Sequence, residues 1–124
     1  GIQVWIPVRP NYTFEETRAW VERLSRAVGS AVPGLVSWEW EKSARRGLAR
    51  LDYTQNAANR TLVGPYVVRA RPNASVSAPI AWDELDDPEL RPDRWTIGTI
   101  GERLAARGDL FRGVLGDGQE LPRL

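Results

Sequence analysis

Asp52 is the only carboxylate between positions 42 and 71, a stretch that carries seven basic side chains: Lys42, Arg45, Arg46, Arg50, Arg60, Arg69 and Arg71. An acid in a field of about +6 is held in its ionised form. A lone hard oxygen donor among guanidinium groups suits a site where a divalent cation meets a polyphosphate. Cations of this kind draw carboxylate oxygens from more than one chain position, so a single Asp binds one weakly. A solvated ion pair with Arg50, two residues away on the same face of an extended segment, is the competing reading of Asp52. Gln55 and Asn56 follow in a polar stretch, where an amide can bond a sugar hydroxyl or a phosphate, or cap a turn. Arg69 comes after the Gly64-Pro65 break, and its fork can take two phosphate oxygens at once. Lys42 and Arg45 are three apart and share a face if residues 41–46 are helical.

Composition narrows the chemistry. The 124 residues contain no Cys and no His, which excludes disulfides, thiolate sites, cysteine nucleophiles and the commonest general base. Any metal must be held by oxygen, which favours Mg²⁺ or Mn²⁺. Net charge is +1, yet residues 1–71 sum to +5 and residues 72–124 to −4. One part of the chain is therefore suited to an anionic partner. Sixteen of the 17 basic residues are Arg, so Lys42 is the single lysine. No run of residues is apolar for long enough to span a membrane.

The elements that must position these groups follow from periodicity. Residues 2–8 alternate as a strand, with Ile2, Val4 and Ile6 on one side and Gln3, Trp5 and Pro7 on the other. Thr13 with Glu16 spells a capping box that starts a helix. Its buried stripe is Phe14, Val21, Leu24 and Val28, with Gly29 as the stop. Residues 47–53 predict a strand whose second face carries Arg50 and Asp52, followed by a polar turn or short helix over residues 54–59. Residues 66–72 predict another extended stretch, and Trp82-Asp83-Glu84-Leu85 a one-turn helix start. Thr99 with Glu102 spells a second capping box, with Ile100, Leu104 and Ala105 lining that helix. Trp20, Trp82 and Trp95 are expected in the core. Trp38 and Trp40 share a face if extended, with base stacking as the lesser reading. The acids of residues 83–93 read as solvated loop charge.

The segment EKSARRGLARLDYTQNAANRTLVGPYVVR (41–69) resembles the last catalytic motif of the primase-polymerase domain of bacterial DNA ligase D, an archaeo-eukaryotic-type primase fold. The likeness continues through ARPNASVSAPIAWDELDDPELR to GDLF and so covers most of the chain. Lys, Arg, Asp, Gln, Asn and Arg recur in register, with the Pro-Tyr pair and the Trp-Asp-Glu-Leu turn. The resemblance implies that Asp52 is the third metal carboxylate, partnering an upstream acidic pair. It implies that Arg69 and Gln55, with Asn56 beside it, hold the incoming nucleotide, and that Lys42 and Arg45 point into the active cleft. Gln3 stands where the family commonly has a phosphate-contacting His, so phosphate binding is expected to be weaker or differently arranged there.

The implied fold is α+β (mixed α/β), a primase-type fragment with a largely antiparallel sheet flanked by helices. Residues 1–124 are expected to form the C-terminal portion of a single domain, because the family's acidic pair and Ser-Gly-rich turn lie upstream of this segment. The implied activity is template-dependent, Mg²⁺- or Mn²⁺-dependent addition of NTPs or dNTPs to a primer end in break repair or gap filling. The isolated chain would then be inactive. Expected partners are DNA ends or gaps, the N-terminal half of the domain, and ligase or nuclease domains. The expected setting is the bacterial cytoplasm, at the nucleoid, with no membrane involved. The alternative is a non-catalytic module that binds DNA ends or gaps through the same basic surface.

Overall fold

The computed structural model describes residues 1–124, which divide into two compact units. One comprises Val8–Leu62 with Glu120–Leu124, and the other Gly1–Pro7 with Val63–Gln119.

The first unit is built on helix α1, Phe14–Ala31. The capping box forms as its spacing requires. Thr13 N–H donates to Glu16 Oε2 at 2.7 Å, and Glu16 N–H donates back to Thr13 Oγ1 at 3.2 Å. Trp20 is the helix's buried anchor, and its Nε1–H donates to the Pro122 carbonyl at 2.6 Å, tying down the last residues. The apolar stripe is narrower than expected. Val21 and Leu24 are half-buried, whereas Phe14 and Val28 face solvent. Gly29 does not stop the helix. It lies buried inside it, where a Cβ would stand 2.6 Å from Cζ2 of Trp38, so glycine here permits close approach of an indole. The helix ends two residues later because Pro33 has no N–H to continue the ladder.

α1 packs against the 3₁₀ turn Tyr53–Gln55, and Arg26 bridges the two. Its guanidinium lies 4.1 Å from the Trp38 ring centroid and 5.7 Å from that of Tyr53. The strand expected over residues 47–53 is reduced to one parallel bridge between Val36 and Ala49, with Ser37 N–H to Ala49 O at 2.8 Å and Ala49 N–H to Leu35 O at 2.9 Å. The 3₁₀ turns Ser43–Arg45 and Tyr53–Gln55 flank this bridge. Arg46 and Gly47, at φ +52° and +85°, turn the chain between the first of them and the bridge.

In the second unit, residues 66–69, 74–77 and 95–97 run in antiparallel register. Tyr66 N–H donates to Ser77 O, Arg69 N–H to Ser75 O and Val76 N–H to Trp95 O, at 2.7–2.8 Å. Pairing stays at the level of isolated bridges, Val68–Val76 and Ser75–Thr96, instead of a continuous sheet. Gly64-Pro65, Pro72 and Pro79 interrupt these segments, and each proline withdraws a donor from the ladder. Ser75 and Val76 are buried at the centre of this arrangement. Of the expected first strand, residues 2–8, positions 2–6 join no ladder, the Pro7 carbonyl accepts from Gln119 N–H at 3.1 Å, and Val8 is a lone bridge residue.

Helix α2, Ile100–Arg107, forms without the expected box, because Thr99 Oγ1 accepts from Thr96 N–H instead. Its most enclosed side chain is Arg103; Leu104 and Ala105 are exposed. Arg103 grips both oxygens of Glu84 at 2.7 Å, donates to the Pro79 carbonyl at 2.7 Å and lies 3.8 Å from the Trp95 ring centroid. Glu84 begins no solvated loop. From the 3₁₀ turn Trp82–Asp86 it also accepts the Ala81 N–H, and these bonds hold its pKa down to about 2. Trp82, expected in the core, is 79 % exposed. No helix is long and apolar enough to cross a membrane.

Candidate functional site

Asp52 is placed by local hydrogen bonding. It immediately precedes the 3₁₀ turn Tyr53–Gln55, and its Oδ1 accepts from Thr54 N–H at 3.1 Å and Thr54 Oγ1–H at 2.6 Å. Partial desolvation pushes the carboxyl up, but the Thr54 bonds, the nearby Arg50 charge and the Gln55 side chain together outweigh it. The net result is a pKa below the usual carboxylate range, so the group is anionic at neutral pH.

The carboxylate opens onto a shallow hollow of about 260 Å³, lined by Trp40, Arg45, Arg50 and Asp52. Arg50 makes no salt bridge with Asp52. Its Nη1 donates to the Trp38 carbonyl at 2.9 Å, and its guanidinium stacks 4.6 Å from the Trp40 ring centroid. Arg45 donates through Nε to the Glu39 carbonyl at 2.9 Å and through Nη2 to the Trp40 carbonyl. It therefore fixes the loop that carries Trp40 while its charge stays at the wall of the hollow. Lys42 is exposed and opens the 3₁₀ turn that ends in Arg45, so residues 41–46 are helical only over that short turn. Gln55 is exposed beside Asp52, and Asn56 caps the turn, with its N–H donating to the Tyr53 carbonyl at 3.2 Å.

Arg69 and Gln3 belong to the other compact unit. Arg69 is exposed on a second hollow of about 380 Å³, lined with Val63, Val67, Val68, Ala70 and Arg71. Its backbone is fixed on both sides, since its N–H donates to Ser75 O and its carbonyl accepts from Arg71 N–H, each at 2.7 Å. Gln3 is exposed. Asp52 and Arg45 thus share one hollow with Gln55 and Lys42 nearby in the chain, while Arg69 lines another.

Three of the lining residues carry no site role in the sequence expectations beyond a lesser stacking reading for Trp40, a competing ion pair with Asp52 for Arg50 and bulk charge for Arg71. Alternation could have flagged Arg71, two residues from Arg69 on one face of an extended segment. The Arg50–Trp40 stack had no such signal.

As a metal centre the donor set is incomplete. Nowhere in the chain do three carboxylates gather in a group that could hold an ion. Asp52 offers a single hard-oxygen ligand, which fits one corner of an Mg²⁺ or Mn²⁺ site and does not make one.

Comparison with known proteins identifies the family of the chain. The family described as "LigD, primase-polymerase domain" matches residues 1–111. The multifunctional non-homologous end joining protein LigD of Mycolicibacterium smegmatis is 34 % identical over 111 residues, covering 90 % of this chain and 14 % of that protein. The multifunctional non-homologous end joining DNA repair protein LigD of Mycobacterium tuberculosis is 31 % identical over 124 residues, all of this chain and 16 % of that protein. The bifunctional non-homologous end joining protein LigD of Bacillus subtilis is 34 % identical over 112 residues, 90 % of this chain and 18 % of that protein. The chain therefore spans less than a fifth of these relatives' length. Among solved structures, the polymerase domain of M. tuberculosis ligase D in complex with DNA superposes with a TM-score of 0.74 at 32 % identity. That match covers 82 % of this chain and 35 % of that one.

Proposed function

The chain belongs to the LigD primase-polymerase domain family, and we propose that it is part of a nucleotidyltransferase that adds NTPs or dNTPs to a primer end in bacterial DNA break repair or gap filling. The observation that carries this reading is the anionic Asp52 facing a hollow walled by Arg45 and Arg50, inside the stretch that matches the family. Asp52 supplies one carboxylate of an Mg²⁺ or Mn²⁺ site whose other ligands lie outside these residues. Such an ion, when bound, neutralises triphosphate charge and acidifies the attacking 3′-hydroxyl.

The remaining roles belong to the chain's own side chains. Arg69 takes phosphate oxygens through its free fork, and Lys42 adds a mobile point charge. Gln55 and Asn56 offer amides beside Asp52 for sugar or phosphate, and Gln3 donates a neutral hydrogen bond where a cation would bind more tightly. Arg45 contributes field more than contact, because two of its donors are committed to backbone carbonyls. DNA is the polymeric partner, as the complexed state of the solved relative suggests, and the N-terminal half of the domain and ligase or nuclease domains are the protein partners. The setting is the cytoplasm, at the nucleoid. The reading as a non-catalytic binding module is not favoured, since the matched family is that of the primase-polymerase domain.

The test is Asp52→Ala in the intact domain. Nucleotide addition to a primer should be lost while DNA binding, which rests on the basic side chains, is largely kept. A variant that still extends a primer at a near-normal rate removes Asp52 from the metal site.

A further inference from the structure

Trp40 is 65 % exposed, in contrast to Trp20 at 5 %. An indole left in water forgoes a large burial gain, so its setting matters. The ring is not held by a core. Arg50 covers one face at 4.6 Å from the centroid, and Arg50 is itself anchored to the Trp38 carbonyl at 2.9 Å. Arg45 clamps the Trp40 carbonyl from the other end of the loop. Two arginines therefore hold the residue at the wall of the same hollow that Asp52 lines. A flat π surface fixed by cations, with most of its area open, is suited to take a second flat π system.

We propose that Trp40 is a stacking surface for a nucleobase, held in place by Arg50 beside the Asp52 hollow. The proposal rests on the reading of that hollow as a nucleotide-handling site and adds to it the group that receives the base. Stacking on an aromatic side chain tolerates every base, because each has a π face, so Trp40 supplies affinity without sequence preference. The flanking guanidinium groups supply attraction for the attached phosphates. The base can come from a nucleoside triphosphate or from a DNA strand; the chemistry is shared, and two titrations separate the sources.

The experiment compares wild type, Trp40→Ala and Trp40→Phe in the intact domain, titrated with ATP and, separately, with a short oligo-dT strand. For whichever probe supplies the base, Trp40→Ala should bind about 5- to 100-fold more weakly, and Trp40→Phe should recover most of the loss. The slope of affinity against salt should stay that of wild type, because no phosphate contact has been removed. The emission difference between wild type and Trp40→Phe should be quenched by the same probe, a readout that survives if Trp40→Ala folds poorly. Wild-type affinity of Trp40→Ala for both probes, or an unquenched difference signal, overturns the proposal. Asp52→Asn run in parallel separates the two readings. If it cannot extend a primer while Trp40→Ala binds normally, the stacking role alone falls. If it extends a primer normally while Trp40→Ala loses binding, the metal reading alone falls.

Discussion

At the scale of single residues, the basic stretch sorts into side chains with different work. Arg45 and Arg50 are spent on backbone carbonyls and an indole, so truncating either disturbs the loop around Trp40 as well as the charge of the hollow. Arg69 differs from both, because its backbone is fixed on each side while no ion pair engages its guanidinium. Arg69→Ala in the intact domain should therefore leave the melting temperature unchanged and raise the KM for nucleotide about 10-fold or more, as loss of a charge-assisted bond of about 1.5–3 kcal/mol requires. Steady-state kinetics check this, and an unchanged KM takes Arg69 out of the site. Asp52 stands out in the sequence because it is the single acid in a basic run, and the type of a neighbour is written there. Which cation turns toward the acid is not. Arg50 sits two residues from Asp52 but finds the Trp38 carbonyl and the Trp40 ring, contacts set by how the loop folds.

At the scale of elements, local signals were legible and distant ones were not. The Thr13–Glu16 box closes as its spacing demands, because all its atoms lie within one turn. Gly29 shows the limit. A glycine near a helix end reads as a stop, yet its role is to admit Trp38, nine residues on, and no periodicity encodes that approach. Gly29→Ala should gain about 1 kcal/mol of helix propensity but force the Trp38 ring to move, costing about 1–3 kcal/mol, so a net loss is expected in urea denaturation. A midpoint at or above wild type would mean the ring shifts freely. The Glu84–Arg103 pair makes the same point for charge: partners nineteen residues apart turn an apparently solvated acid into a fixed bridge between the Trp82–Asp86 turn and α2. With its pKa held down to about 2 from an ordinary 4.5, Glu84 binds protons less readily in the folded chain than in the unfolded one. Its contribution is whole above pH 4.5 and drains away as pH falls toward 2. Glu84→Gln should lower stability at pH 7 by on the order of 2 kcal/mol, after allowance for solvent screening, and lessen the acid-side decline. Parallel melts at pH 7 and pH 3 check this, and equal losses at both would mean the carboxylate's charge is irrelevant.

At the scale of the whole molecule, the apolar surface is poorly enclosed in each compact unit. Among large apolar side chains only Trp20 and Val76 are buried, while Val4, Ile97, Trp82 and Leu115 are 65–79 % exposed in one unit and Phe14 and Leu35 are 62–65 % exposed in the other. A self-contained domain of this length buries most of the surface its unfolded chain exposes, and exposed apolar area on this scale marks interfaces. The solved relative is correspondingly larger, with this chain matching 35 % of it. The unpaired backbone of residues 2–6 points the same way, since a β-prone segment with no ladder partner is a template for another strand. Composition alone gave no hint of this, because 42 % apolar residues is ordinary and says nothing about where they end up. The 124 residues alone should therefore unfold over a broad urea range with a small m-value and bind a hydrophobic dye such as ANS. On the role proposed above, co-expression with the proposed N-terminal half as a separate polypeptide should sharpen the transition, abolish dye binding and give primer extension that the 124 residues alone do not support. A sharp, dye-free transition for the 124 residues by themselves would mean that these surfaces are closed without help. Primer extension by the same isolated chain would mean that the acids completing the Asp52 site lie within it.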